Sequence, residues 1–456
     1  MVARLFLSRY KRRAQCAPNG GYYTVRTFRS TLSLLTRRPA LALALLALIL
    51  RLVFIWVLDP SPRFEGGDTN WYMQNGRDLV STGKTAGPLQ TPPLYLVLTG
   101  VVQVLIPGGP DADRAYNEAE MQTLRTFQAV LGAVLVACVV ILGRRLFAAR
   151  AGWWAGLVTA ISPALIVEAG NLITESVFLA LIFAGLAAYG AALSSRRIAR
   201  YAIAGVLLAL ATLTRAVFLL FPLLLVAHLL LTRRRDWARP ALALLISYTA
   251  LISTWTVYNL VVWERLVIGG DGLLGFVYQG ATGKASPQEV DARLGIDPER
   301  SDERDEALRQ RVREHILDDP AGWAAHRLQE LAGAILQPHN TVYFKGERIR
   351  DAAADWLRHD RSWCGLRDLT RIESFWPKLS LYVFHYVGLL LGVAGMIWAR
   401  RRWRDLLPLY GLIAYFVGIH LVLLALPRYL FPIYPALWLF GAAWLVGATS
   451  YFRGKG

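Results

Sequence analysis

Residues 39–58 read PALALALLALILRLVFIWVL, an apolar run of 20 residues broken by one charge, Arg51. At a rise of 1.5 Å per residue, such a run forms a helix about 30 Å long, the thickness of a bilayer's hydrocarbon core. It is longer than the apolar part of a secretory signal and no small-residue cleavage site follows it, so it reads as a span that stays in place. Similar runs recur outward along the chain at 123–143, 151–169, 173–193, 240–262, 379–399, 406–426 and 429–449. The chain is 55% hydrophobic, against about 45–50% in soluble domains. The expected fold class is all-α: a polytopic membrane protein of about ten transmembrane helices, with juxtamembrane helices and two extracytoplasmic loop regions.

The charges give the expected orientation. The net charge is +18, but residues 264–378 hold 20 acidic and 17 basic side chains, leaving 12 acidic and 33 basic elsewhere. The excess sits in short clusters: 1–38, Arg144–Arg150, Arg196–Arg200, Arg233–Arg239, Arg400–Arg404 and Arg453–Lys455. Basic clusters between apolar runs mark cytoplasmic loops. A nucleic-acid surface would instead interleave basic and aromatic residues on one soluble face, and no such stretch is present. With every cluster inside, the chain divides into a cytoplasmic N-terminus (1–38), a transmembrane module (39–263) whose first outer loop is 59–122, a large extracytoplasmic loop (264–378), and C-terminal spans with a short tail (379–456). Both termini are expected in the cytoplasm.

Two segments are too short for this scheme. Pro93–Pro107 is apolar over 15 residues, roughly 22 Å as a helix. Parity of crossings places it as a juxtamembrane helix on the outer face. Tyr201–Leu231 has 31 residues, too few for two full spans and too many for one. It is expected to be a shallow hairpin with its tip near Arg215. Irregular backbone at that depth needs protein or a water-filled cavity around it.

The residues that can carry chemistry gather near the expected outer face. The first loop begins Phe64-Glu65-Gly66-Gly67-Asp68-Thr69-Asn70-Trp71-Tyr72. Asp68 and Tyr72 are four apart and share a helical face. A carboxylate just outside the membrane suits removal of a proton from an acceptor hydroxyl, although an acid there also serves simply as a helix N-cap. Arg125, Glu168, Glu175, Arg215 and Arg428 lie at span ends, and charges there are functional candidates by default. Each has a plainer reading: Glu175 opens a helix whose dipole favours an acid, and arginines at span ends are ordinary. A cluster of arginines would suit a lipid phosphate, which guanidinium grips with two hydrogen bonds. Arg428-Tyr429-Leu430-Phe431-Pro432-Ile433-Tyr434-Pro435 opens the last span with two prolines that break its first turns. The three cysteines and seven histidines form neither a disulfide framework nor a metal spacing.

Taken in order, these segments resemble the C-type glycosyltransferase superfamily, in particular protein O-mannosyltransferases and the lipid A aminoarabinose transferase. Asp68 with Tyr72 is similar to the acidic motif of the first loop. Gln90-Thr91-Pro92-Pro93-Leu94-Tyr95 is similar to a Lys-Pro-Pro-x-x-Tyr segment, and Thr123-Leu124-Arg125 to the arginine opening the second span. Asn171-Leu172-Ile173-Thr174-Glu175 resembles a Thr-Glu step, Leu213-Thr214-Arg215 the Leu-Thr-Arg hairpin, Trp255-Thr256-Val257-Tyr258-Asn259 the entry to the large loop, and Arg428-Tyr429 the closing Arg-Tyr-x-x-Pro. The resemblance covers about residues 39–449. There are departures: Thr69 follows Asp68 where relatives often have Glu, Tyr258 stands where they often have Arg, and Gln90 or Thr91 where they often have Lys.

The resemblance implies a membrane glycosyltransferase that moves a sugar from a polyprenyl-phosphate donor to a glycan, lipid or protein acceptor on the extracytoplasmic side. It implies Asp68 as the catalytic base, Arg125, Arg215, Arg428 and Tyr429 on the donor phosphate, and Tyr72, Tyr95 and Asn259 in the pocket. A second acid, if one acts, is Glu65 or Glu175. Some members of the superfamily use a divalent metal; the residues supply no evident ligand set. The alternatives from other classes are a transporter or lipid flippase, which would favour repeats and broken helices at midplane, and a non-catalytic membrane scaffold.

Overall fold

The computed structural model describes residues 38–61, 68–85, 91–106, 108–110, 115–195, 197–232, 235–269, 273–282 and 301–453. The basic arm before Arg38, Glu65 and Gln90 lie outside the described residues. Among those described, every regular element is helical.

Among the described residues, six helices are long and apolar enough to cross a bilayer: Pro39–Leu58, Glu118–Leu146, Glu175–Ser195, Ala238–Trp263, Phe375–Arg402 and Pro427–Ala448. We label the elements in chain order as α1 (Pro39–Val53, extended by a π-turn at Phe54–Leu58), α2 (Asp68–Thr82), α3 (Leu94–Leu105), α4 (Glu118–Leu146), α5 (Ala149–Ile161), α6 (Pro163–Glu168), α7 (Glu175–Ser195), α8 (Ile198–Thr212), α9 (Phe221–Thr232), α10 (Ala238–Trp263), α11 (Leu273–Thr282), α12 (Ser301–Asp318), α13 (Pro320–Leu336), α14 (Ile349–Asp355), α15 (Trp363–Leu369), α16 (Phe375–Ala399), α17 (Leu407–Ile419), α18 (Pro427–Leu430) and α19 (Tyr434–Arg453).

Close backbone approach replaces bulky packing at several helix crossings, as in membrane proteins generally. Gly143 of α4 meets Gly152 of α5, and Gly388, Gly392 and Gly395 of α16 lie against Trp438, Leu437 and Phe440 of α19. The core runs through α7 and the 434–443 part of α19, whose side chains are buried almost all round, while α1, α10 and α16 leave Ile49, Ile246 and Leu390 bare. That exposed apolar surface is what a helix facing lipid presents.

Three expected spans are built differently. The run 151–169 is interrupted at Ser162, where α5 stops and Pro163 starts the short α6; proline lacks the N–H that would continue the helix. The segment 201–231 does turn at Thr214–Arg215, but its arms do not lie side by side. Helix α8 packs on α7 and α10, whereas α9 packs on α17 and α10. The run 406–426 is helical only to Ile419; residues 420–426 are irregular up to Pro427.

Two elements of the first loop form a unit. Helix α2 packs along α3 with Gly76 and Gly100 at the crossing: a Cβ on Gly76 would strike Thr99 Oγ1 and the Leu96 carbonyl, and one on Gly100 would strike the Gly76 carbonyl. The Thr99 hydroxyl donates to the Tyr72 carbonyl at 3.0 Å. At the start of α4, Asn117 and Glu120 form a capping box. Arg77 of α2 reaches the same Glu120 at 3.4 Å, tying the loop to the span that follows.

Candidate active site

Helix α2 starts at Asp68, so its carboxylate sits where the unpaired N–H groups and the helix dipole favour an anion. The side chain is half exposed, at 51%. Arg428, in the first turn after the irregular segment, donates from Nη1 to Asp68 Oδ2 at 2.7 Å and from Nη2 to the Tyr429 hydroxyl at 3.1 Å.

A second ion pair lies beside the first. Helix α7 starts at Glu175, whose carboxylate is buried. Arg215, at the turn between α8 and α9, donates from Nη1 to Glu175 Oε1 at 2.6 Å and to Thr174 Oγ1 at 3.4 Å. The two guanidinium groups share one aromatic plate: Arg215 lies 4.8 Å and Arg428 5.0 Å from the centroid of the Tyr429 ring. Aromatic faces attract such cations, so Tyr429 holds two like charges close together.

Tyr72, one turn along α2 from Asp68, packs edge-on against Tyr95 of α3 with centroids 5.0 Å apart. Burial raises the Tyr72 phenol above its usual range; Arg215 opposes this, while the Glu175 and Asp68 carboxylates add to it. Tyr72 therefore stands as a neutral phenol within the field of all four charges. The Tyr95 hydroxyl is buried without a hydrogen-bond partner.

The structure thus brings together Asp68, Tyr72, Tyr95, Glu175, Arg215, Arg428 and Tyr429. It does not bring in Arg125 or Asn259. Arg125 is fully buried, and donates to the Asp59 carbonyl at 2.8 Å, the Asp59 carboxylate at 3.3 Å and the carbonyls of Ile55 and Pro60 at 3.4 Å. Tyr343 donates to the same Asp59 carboxylate. Arg125 staples the exit of the first span, because the π-turn there frees carbonyls that need donors. The Asn259 amide donates back to the Trp255 carbonyl of its own helix at 2.8 Å.

A neighbouring cluster surrounds Glu168, whose place at a span end marked the acid itself but not its partners. His339, from the large loop, pairs with the buried Glu168 at 2.8 Å, and Asn340 and Asn171 donate to the same carboxylate oxygen at 2.9 and 3.1 Å. His339 also contributes to the field at Glu175. His339 and Asn340 belong to the Pro-His-Asn step at 338–340, just after α13 has ended. Among the described residues no three His, Cys, Asp or Glu side chains form a set able to hold a metal ion. Asp68 and Glu175 are each held by a guanidinium.

Residues 117–259 match the family model of dolichyl-phosphate-mannose-protein mannosyltransferases. Among solved structures, the archaeal oligosaccharyltransferase AglB from Archaeoglobus fulgidus, in complex with an inhibitory peptide and a dolichol-phosphate, superposes with a TM-score of 0.51 and 14% identity, covering 92% of this chain and 52% of that one. The same organism's oligosaccharyltransferase tethered to an acceptor peptide gives 0.52 and 14%, covering 92% and 51%. The chain shares the fold of these oligosaccharyltransferases. No curated protein sequence matches the chain, and the chain spans about half the length of the oligosaccharyltransferases it resembles. Within this fold the matched family segment runs from Asn117, the N-cap of α4, to Asn259 in the last turns of α10. It includes Glu175 and Arg215 but neither Asp68 nor Arg428.

Proposed function

We propose that the protein transfers a sugar from a polyprenyl-phosphate donor to an acceptor nucleophile at the outer face of the membrane. The observation that carries this reading is the Asp68–Arg428 ion pair at 2.7 Å beside a second arginine on the same aromatic ring. A base and two cations at one wet membrane boundary are what the reaction needs. The oligosaccharyltransferase of similar fold was solved with a dolichol-phosphate, a lipid phosphate of the class proposed as donor and product here.

The steps follow from the charges. An incoming donor phosphate competes with Asp68 for Arg428, because charge-assisted bonds from guanidinium to phosphate are strong and directional. Arg215, kept in place by Glu175, adds a second positive charge on the Tyr429 plate. Asp68, released, accepts the proton of the acceptor hydroxyl or amine as that atom attacks the anomeric carbon. The carbon–oxygen bond to phosphate breaks on the opposite side, and the guanidinium groups hold the charge that develops on the leaving polyprenyl phosphate. One carboxylate then suffices, and the product has the inverted configuration. Tyr72 and Tyr95 form the neutral wall of the pocket. In this reading the chain crosses the inner membrane about ten times, with α8, α9 and α17 as short crossings and both termini in the cytoplasm, so that Asp68 and residues 264–378 lie outside.

Substituting Asp68 by Asn tests the reading. Transfer from lipid donors extracted from host membranes should fall by about 10²- to 10⁴-fold, the usual worth of a positioned base, while undecaprenyl phosphate still binds. A D68N protein that transfers sugar at the wild-type rate overturns it.

A further inference from the structure

Residues 420–426 are the irregular strap that leads from α17 into Arg428 and Tyr429. A composition as apolar as theirs normally continues a helix, and unwinding it leaves carbonyls that a nonpolar setting cannot satisfy. One side chain satisfies three of them. Arg327 of α13 is 1% exposed. It donates from Nε to the Leu421 carbonyl at 3.1 Å, from Nη2 to the His420 carbonyl at 3.1 Å and to the Leu423 carbonyl, and from Nη1 to the Gly280 carbonyl at 2.7 Å and to Glu330 at 3.5 Å. These five bonds use the full donor capacity of a guanidinium.

The strap is held from its other side as well. Leu424 N–H donates to the Phe276 carbonyl of α11 at 3.1 Å, and a Cβ on Gly280 would lie 2.9 Å from the Val422 carbonyl. The strap's two ends also meet: the His420 and Tyr429 rings stack with centroids 5.7 Å apart and an interplanar angle of 23°. Displacing the strap therefore displaces Tyr429, and with it the plate under both arginines.

We infer that Arg327 is a positioning residue: by clamping the 420–426 strap to the large loop, it sets where Arg428 and Tyr429 meet the donor phosphate. The inference rests on the reading above that those two residues grip that phosphate. Lysine is no substitute, since it carries the charge without the planar fork.

The test uses the full-length protein in detergent with undecaprenyl phosphate as the probe. It reads binding, together with backbone hydrogen exchange across 420–429. R327K should weaken probe binding by about tenfold or more, as a misplaced contact does, and should speed exchange in that segment. The double variant R327K/R428M should bind no more weakly than R428M alone, because a residue acting through another adds nothing once the other is gone. If wild type binds the probe and R327K binds equally well, or if the two losses multiply, the inference is overturned. Should R327K fail to fold, G280A presses on the strap while leaving Arg327 in place; wild-type binding by G280A then overturns the inference. If the wild-type protein does not bind the probe at all, the functional reading fails instead. Arg327 is then judged by exchange, and an unchanged pattern at 420–429 in R327K removes its role.

Discussion

Arg428 and Asp68 are 360 positions apart in the chain and joined by a 2.7 Å hydrogen bond. The bond neutralises the resting carboxylate, and in the proposed reaction the guanidinium exchanges it for the donor phosphate. Replacing Arg428 by Met frees Asp68 but removes that anion's partner. Hydrogen bonds to charged groups are worth about 1.5–3 kcal/mol, so the Kd for undecaprenyl phosphate, titrated in detergent, should rise about 10- to 100-fold. An unchanged Kd would show that the phosphate sits elsewhere.

The Glu175–Arg215 pair makes a different prediction, because Glu175 is buried. Removing one partner of a buried pair leaves the other charge uncompensated, at a cost of about 3–5 kcal/mol. E175Q should lower the unfolding temperature clearly, and E175Q/R215Q should recover most of the loss. Thermal unfolding of the purified variants measures both. A double variant no more stable than the single one would show that the pair is not the relevant unit.

A substitution without any charge should also reach Asp68. G76A forces a methyl group against Thr99 and the Leu96 carbonyl. Overpacking of this kind costs about 1–3 kcal/mol, and it wedges α2 off α3. Transfer activity should fall even at temperatures where the protein remains folded; retention of full activity would mean that α2 need not rest on α3.

Tyr72 gives a pH prediction. Its phenol is raised by burial, while the unfolded chain loses the same proton near pH 10 or so. Below that pH the contribution to stability is fully present; above it the unfolded state binds fewer protons than the folded one, and stability falls as pH rises. Y72F removes this slope. Between about pH 10 and 11 its unfolding temperature should decline less steeply than that of wild type, and parallel declines would contradict the burial of the phenol.

Much of the architecture was legible because hydropathy reports directly on burial in lipid, and the six long apolar helices are runs that hydropathy marks. What it does not report is where backbone bonds go. The stretch 420–426 reads as helix, yet it is unwound because Arg327, 94 positions from Leu421, supplies its donors. The run 151–169 contains Pro163 in plain view, but the apolar residues on both sides mask the break. Arg125 shows the corresponding limit for a site. An arginine opening a span looks the same whether it serves a ligand or the chain's own carbonyls, and only the positions of Asp59 and Tyr343 distinguish the two. Glu65, expected as an alternative second acid, lies outside the described residues.

The brevity of α8, α9 and α17 has a consequence for the surrounding lipid. Their 15, 12 and 13 residues measure about 18–23 Å along the axis, well short of a hydrocarbon layer of about 30 Å. Ile203 on α8 and Leu223 on α9 are nonetheless exposed as if to acyl chains. A bilayer meeting so short a wall thins locally. In the proposed topology its headgroups sink toward the turn that carries Arg215, which lowers the phosphate of the proposed lipid donor toward that arginine.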